Sequence, residues 1–138
     1  QYTPDMLLPQ EQLFLGGARS IRGYPESDYG ADSGFQSRLD YMLPPYGMPE
    51  TWKMPLDTIP LKDQINLIAF FDMGYGRNTT PLIDDEKVSD FLAGVGGGFE
   101  LRFRKYASAR MEWGVPVGDK PITEGGRSQL HFTFNLNY

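Results

Sequence analysis

The chain has 138 residues, with 18 acidic against 13 basic side chains and therefore a formal net charge of −5. It contains one histidine and no cysteine, which excludes a disulfide framework, a cysteine-ligated metal site and most histidine-rich metal sites. The acidic balance argues against binding to nucleic acid, because that needs a concentrated lysine and arginine surface. With 16 glycines, 11 prolines and 14% aromatic residues, the composition favours an all-β fold.

The first quarter of the chain has no long periodic pattern. Residues 1–12 form an irregular lead-in with two prolines, and residues 13–34 form a glycine-rich loop that contains Arg19 and Arg22. From residue 35 onwards, apolar and polar side chains alternate in five segments, which is typical of strands with two different faces: 35–43, 64–76, 90–104, 106–117 and 128–138. A proline-rich connection, 44–62, follows the first of these predicted strands.

Alternation alone fits a soluble sandwich or barrel as well as a membrane barrel. Three features favour the membrane. The polar faces use glycine, asparagine, glutamine and threonine, and none of the five lysines lies within a predicted strand. Aromatic residues cluster towards strand ends, as in the girdles of membrane barrels: Tyr41, Tyr75, Tyr106, Trp113 and Tyr138. The segments also have about the 9–11 residues that a tilted strand needs to cross a bilayer.

Three motifs occur in a defined order. LFLGGARSIRGY occupies residues 13–24, FFDMG residues 70–74 and RMEWGVP residues 110–116, ahead of an aromatic C-terminus. Over residues 13–138 the chain resembles the C-terminal barrel portion of the outer membrane protein 85 superfamily, which includes BamA-like assembly proteins and TpsB-like two-partner-secretion pores. The resemblance implies a transmembrane antiparallel β-barrel, with a lead-in and lumenal loop over 1–34 and five strands over 35–138.

The resemblance also implies the site residues. In such proteins an Arg-Gly-Tyr motif, here Arg22, Gly23 and Tyr24, tips a loop that folds back into the lumen. The wall motif that receives it corresponds to Asp72 and Gly74. A C-terminal β-signal corresponds to Phe132, Phe134, Leu136 and Tyr138. Independently of the family, an arginine in a confined space needs an anion, and a guanidinium–carboxylate pair is directional.

The other candidate motifs have simpler interpretations. Gly94–Gly98 lacks the Lys-Ser/Thr of a phosphate-binding loop and is interpreted as narrow packing or room for the inserted loop. Asp84, Asp85 and Glu86 lack the ligand spacing of a calcium loop. Carboxylates on the polar faces are interpreted as charge-balanced lumen lining: Asp40, Glu100 and Glu112. We therefore predict no enzyme, no metal and no cofactor.

The resemblance implies a bacterial-type outer membrane, a lipid bilayer around the barrel and a pore that exports a partner exoprotein. Alternatives are a BamA-like insertase acting on nascent outer-membrane proteins, a barrel that anchors an upstream enzymatic passenger, and a soluble β-barrel binder. The Tyr-Pro-Glu at 24–26 favours the secretion branch. Five strands cannot close a membrane barrel, so strands missing from the N-terminal side or other chains are expected to complete it.

Overall fold

The computed structural model describes residues 1–53, 59–79, 89–103, 106–118 and 128–136. Two short strands, β1 (Leu13–Leu15) and β2 (Tyr29–Ala31), pair with each other as a separate antiparallel hairpin. Five long strands follow: β3 (Ser33–Leu43), β4 (Ile65–Arg77), β5 (Ser89–Phe103), β6 (Ala107–Pro116) and β7 (Gln129–Leu136). A 3₁₀ turn, Leu61–Asp63, precedes β4. None of the helical structure in these ranges is long and apolar enough for a membrane span.

The five long strands form one antiparallel sheet in which every strand pairs with its neighbours in sequence, from β3 to β7. The register places Leu39 beside Phe71, and Phe71 beside Val95. β3 and β7 are the edges of the sheet and do not pair with each other. The prediction of an all-β, antiparallel barrel wall of about five strands is confirmed, with the barrel not closed by these strands alone.

The structure adds detail that the alternation pattern does not contain. The predicted 13–34 loop includes β1 and β2, because three-residue strands are too short to show a period in sequence. β3 begins at Ser33, two residues before the predicted start, since Ser33 and Gly34 pair with Arg77 and Gly76. Tyr138 and the acidic residues Asp84, Asp85 and Glu86 lie outside the described residues.

The two faces of the sheet differ in what covers them. On one face the large apolar side chains are exposed: Phe35, Leu39, Tyr41, Leu67, Phe71, Tyr75, Phe91, Phe103, Trp113, Leu130, Phe132, Phe134 and Leu136. A soluble barrel would bury this face, so the outward apolar surface is that of a membrane barrel. The opposite, polar face carries the buried positions of β4, including Asp72 and Gly74.

The segment between β1 and β2, residues 16–28, folds over the polar face and is called the inserted loop here. Its apolar residues and those of the hairpin form a small core against the sheet: Leu15, Ile21, Tyr24, Tyr29, Ala31 and Leu92. Four of these six side chains are 0% exposed. Burial of this cluster favours the folded-back position of the loop, because apolar contact area is removed from water.

The base of the hairpin is held by a second buried carboxylate. Asp32, between β2 and β3, is 1% exposed and accepts the backbone N–H groups of Leu7 (3.0 Å) and Thr79 (2.9 Å) and the amide of Gln12 (3.1 Å). Burial by itself raises the pKa of Asp32, but these hydrogen bonds outweigh it and lower the pKa below the ordinary value. The lead-in is thereby tied to the ends of β3 and β4.

The face assignment makes a direct prediction. Phe71→Arg places a charge at the middle of β4 on the apolar face and should lower the free energy of unfolding in lipid by about 2–4 kcal/mol. Thr133→Arg, near the middle of β7 on the polar face, should cost far less, since Thr133 is exposed there and lines a polar cavity, so the new guanidinium stays in water. Urea unfolding in lipid vesicles measures both, and equal losses would show that the faces are assigned wrongly.

Candidate functional site

Arg22 is at the centre of the polar face and is 0% exposed. Its Nε donates to Oδ2 of Asp72 at 2.7 Å, and its Nη2 donates to Oδ1 of the same carboxylate at 2.6 Å. The backbone N–H of Arg22 also donates to Asp72 Oδ2, at 3.0 Å. The structure therefore brings together the two residues that the family motifs pair, in the bidentate geometry that favours an arginine over a lysine.

Two further carboxylates complete the surroundings of Arg22. Nη1 donates to Glu112 on β6, and Nη2 donates to Asp40 on β3. Asp40, Asp72 and Glu112 are called the carboxylate cluster here. The sequence pattern predicts only general lumen lining for Asp40 and Glu112, and the structure gives both a specific partner in the inserted loop.

The ring of Phe70 supplies an apolar contact for the same guanidinium. The Arg22 Cζ atom lies 3.7 Å from the ring centroid, within the range of a cation–π interaction. Phe70 is 6% exposed and faces the loop, whereas its neighbour Phe71 faces outward. The two neighbouring phenylalanines thus have different roles. Alternation predicts that they lie on opposite faces of the sheet, but it does not predict that Phe70 contacts Arg22.

Arg22 stays charged in this environment. Burial by itself lowers the pKa of its guanidinium, but hydrogen bonds to Asp72 and Asp40 and the charges of Asp72 and Glu112 outweigh burial and raise the pKa. A buried ion pair of this kind contributes little net stability compared with apolar packing, but removing one partner leaves an uncompensated charge. The arrangement therefore favours one position of the loop over alternatives.

Glycines on the wall allow the loop backbone to approach it closely. A Cβ atom at Gly94 would lie 1.9 Å from the carbonyl oxygen of Arg22, and one at Gly114 would lie 2.5 Å from the backbone nitrogen of Gly23. Gly23 itself has φ of +101°, and a Cβ there would lie 2.8 Å from the carbonyl carbon of Val115. Gly94 and Gly114 form a seat for the loop tip that no larger residue fits.

The remaining motif residues surround this seat. A Cβ at Gly74 would lie 2.5 Å from Cδ1 of Ile21, so Gly74 leaves room for an apolar side chain of the loop. Tyr24 is 0% exposed and belongs to the apolar core under the hairpin with Leu15 and Leu92. The aromatic ring over the Arg22 guanidinium is that of Phe70.

Polar contacts of the loop form a second anchor. The Ser20 hydroxyl donates to Oε1 of Gln36 on β3 at 2.7 Å, and it accepts the backbone N–H of Gly16 at 3.3 Å. Within the loop, Glu26 accepts the backbone N–H of Ala18 at 2.8 Å. These contacts stabilise the turn of the loop ahead of Arg22.

The predicted C-terminal signal lies on the edge strand β7. Phe132, Phe134 and Leu136 are 68%, 52% and 69% exposed and point to the apolar face. Tyr138 is outside the described residues. The described part of the chain contains no group of three or more side chains suited to hold a metal ion.

The comparison with known families identifies the chain. A family model described as haemolysin secretion/activation protein ShlB/FhaC/HecB matches residues 1–101, which include the inserted loop and the FFDMG strand. No curated protein and no solved structure matches significantly. Because the family model covers most of the chain, the chain belongs to the ShlB/FhaC/HecB family of two-partner-secretion transporters of the outer membrane, within the superfamily that the motifs indicate.

Proposed function

We propose that this chain forms part of an outer-membrane pore through which a partner exoprotein is exported. The family supports secretion as the general role. The exposed apolar face supports contact with a lipid bilayer, and strands outside this segment or from other chains would complete the wall. Within this chain, the polar face and the inserted loop that covers it would line and control the export path.

The observation that carries the proposal is the burial of Arg22. A loop side chain that is 0% exposed, against three carboxylates of the wall, holds the inserted loop on the side of the sheet that a translocating polypeptide would have to follow. A polypeptide and the docked loop cannot occupy the same space. Export then requires that the Arg22–Asp72 pair opens and reforms, with Gly23, Tyr24 and Gly74 shaping the docked position.

The β7 residues have a separate proposed role. Phe132, Phe134 and Leu136, together with Tyr138, would act as the signal by which the barrel is recognised during assembly. Their outward apolar side chains on an edge strand support this role, because an edge strand offers unpaired backbone groups to another chain.

Deleting the gene and comparing the proteins in the culture medium tests the proposed export. At least one protein should disappear from the medium and return when the full-length gene is supplied on a plasmid, while the other proteins of the outer membrane stay at their usual amounts. Depletion of several outer-membrane proteins would instead indicate an insertase. If neither the proteins in the medium nor the other outer-membrane proteins change, a transport role is contradicted, and a barrel that anchors a passenger domain is the alternative that remains.

A further inference from the structure

Arg110 shares its partners with Arg22. Nη2 of Arg110 donates to Oε1 of Glu112 at 2.7 Å, and this is the same oxygen that accepts Nη1 of Arg22. Nη2 of Arg110 also donates to Oδ2 of Asp40 at 2.8 Å, while Arg22 uses the other oxygen of that carboxylate. Two guanidinium groups, one on the inserted loop and one on the wall, thus share two carboxylates.

The third carboxylate also has a second arginine beside it. Arg38 is the cross-strand neighbour of Asp72, and its Nε lies 3.9 Å from Asp72 Oδ1, which Arg22 occupies at 2.6 Å. Every member of the carboxylate cluster is therefore in reach of an arginine of the sheet as well as of Arg22. With the loop docked, three guanidinium groups balance three carboxylates, and with the loop away the wall lacks one positive charge.

Arg110 has an unused hydrogen-bond donor, and both Arg38 and Arg110 lie beside a cavity. Nε of Arg110 is buried and has no hydrogen-bond partner in the described part of the chain. Arg38, Arg110 and Glu112 line one cavity of about 580 Å³ between the loop and the sheet. Both side chains can therefore shift towards oxygens that Arg22 vacates, and an unused buried donor gains a hydrogen bond by doing so.

We propose that Arg110, assisted by Arg38, is a substitute counter-charge that takes over the carboxylates when the inserted loop leaves. This inference rests on the proposed opening of the Arg22–Asp72 pair. Three carboxylates gathered on one part of the wall repel one another when Arg22 leaves, so a wall without a substitute would strongly favour the docked loop. Because Arg110 already neutralises part of the charge of Glu112 and Asp40, these carboxylates gain less from Arg22 when the loop docks and lose less when it leaves, which brings the two positions of the loop closer in free energy.

Loop opening can be measured by thiol accessibility. Ser20 is 7% exposed and the chain has no cysteine, so Ser20→Cys places a buried thiol in the loop. The thiol weakens the hydrogen bond to Gln36, so all variants are compared in the same Ser20→Cys background. In the full-length protein, with any cysteine elsewhere replaced, the rate of labelling by a membrane-impermeant maleimide reports how often the loop is open. Assembly of each variant is checked by the heat-dependent gel mobility of the folded barrel.

Arg110→Gln distinguishes the proposed role of Arg110 from a purely structural one, because the two roles predict opposite changes in the rate of thiol labelling. A substitute counter-charge predicts labelling slower by roughly three- to tenfold, because undocking now leaves Asp40 and Glu112 unpaired. A brace that merely orients the carboxylates for Arg22 predicts faster labelling. Arg110→Lys keeps the charge and should label within about twofold of the unmodified protein, since a point charge still neutralises the carboxylates.

Arg102→Gln is the matched control. Arg102 hydrogen-bonds to Glu100 two residues away on its strand, as Arg110 does to Glu112, but it lies outside the carboxylate cluster and its side chain is 51% exposed. Its replacement should leave labelling unchanged. Arg110→Met serves as a second neutral variant of similar length.

Faster or unchanged labelling in the neutral Arg110 variants overturns the proposal. Failure of both neutral variants to assemble, while Arg110→Lys assembles, overturns it as well, because Arg110 would then be needed for the docked fold itself. Absence of any labelling in folded Ser20→Cys protein shows that the loop does not open. That result also overturns the proposed role of Arg110, whereas protein export is tested separately by the proteins in the culture medium.

Discussion

Arg22→Ala should reduce export at least about tenfold while the barrel still assembles, because the loop can open but can no longer re-form its docked position. The substitution leaves three carboxylates with only the wall arginines as counter-charges, and breaking a buried pair costs about 3–5 kcal/mol. Asp72→Ala should be less severe, because Arg22 retains Asp40 and Glu112. The amount of exported protein in the medium and the folded fraction on unheated gels measure the two effects separately.

The combined substitution distinguishes a shared contact from two independent roles. The double variant Arg22→Ala with Asp72→Ala should be no worse than Arg22→Ala alone, since the second change removes a carboxylate that has already lost its partner. Exchange of the two charges should not restore export, because an aspartate at position 22 would meet Asp40 and Glu112. If the two alanine substitutions reduce export by strictly additive amounts, or if the charge exchange fully restores export, the role assigned to the three carboxylates is wrong; either result would falsify it.

Gly94→Ala should prevent the loop tip from docking. The new Cβ would lie 1.9 Å from the carbonyl oxygen of Arg22, and this oxygen belongs to the backbone that Asp72 and the seat hold in place. Overpacking of this kind costs about 1–3 kcal/mol, occasionally more, and here we expect the upper end because the clash is with backbone. Urea unfolding in micelles and maleimide labelling of Ser20→Cys measure the loss of stability and of docking.

Gly97→Ala provides the control on the same strand. Gly97 lies on the opposite face, and the nearest atom to its new Cβ would be the Ile68 carbonyl oxygen at 3.2 Å. The substitution should change neither labelling nor export, with a stability change below about 1 kcal/mol. If Gly94→Ala and Gly97→Ala behave alike, close backbone approach does not hold the loop in place.

Alternation predicted most of the sheet because it has a local cause. A strand with one face towards apolar surroundings and one towards polar surroundings must change character at every residue. Strand ends in the described ranges therefore agree with the sequence interpretation to within two residues. Alternation did not predict the hairpin β1–β2, because strands of three residues are too short to show a period in sequence.

What the sequence determined by itself is the two-faced β character and the apolar surface, while its resemblance to a known superfamily predicted the pairing of Arg22 with Asp72. Tertiary structure alone decided which other groups meet Arg22: Asp40, Phe70, Glu112 and, through shared carboxylates, Arg110. These residues come from three different strands, and the loop that joins them returns across the sheet. Alternation states which face a side chain takes, but the register between strands and the path of the loop decide its partner, and both depend on contacts between residues far apart in the chain.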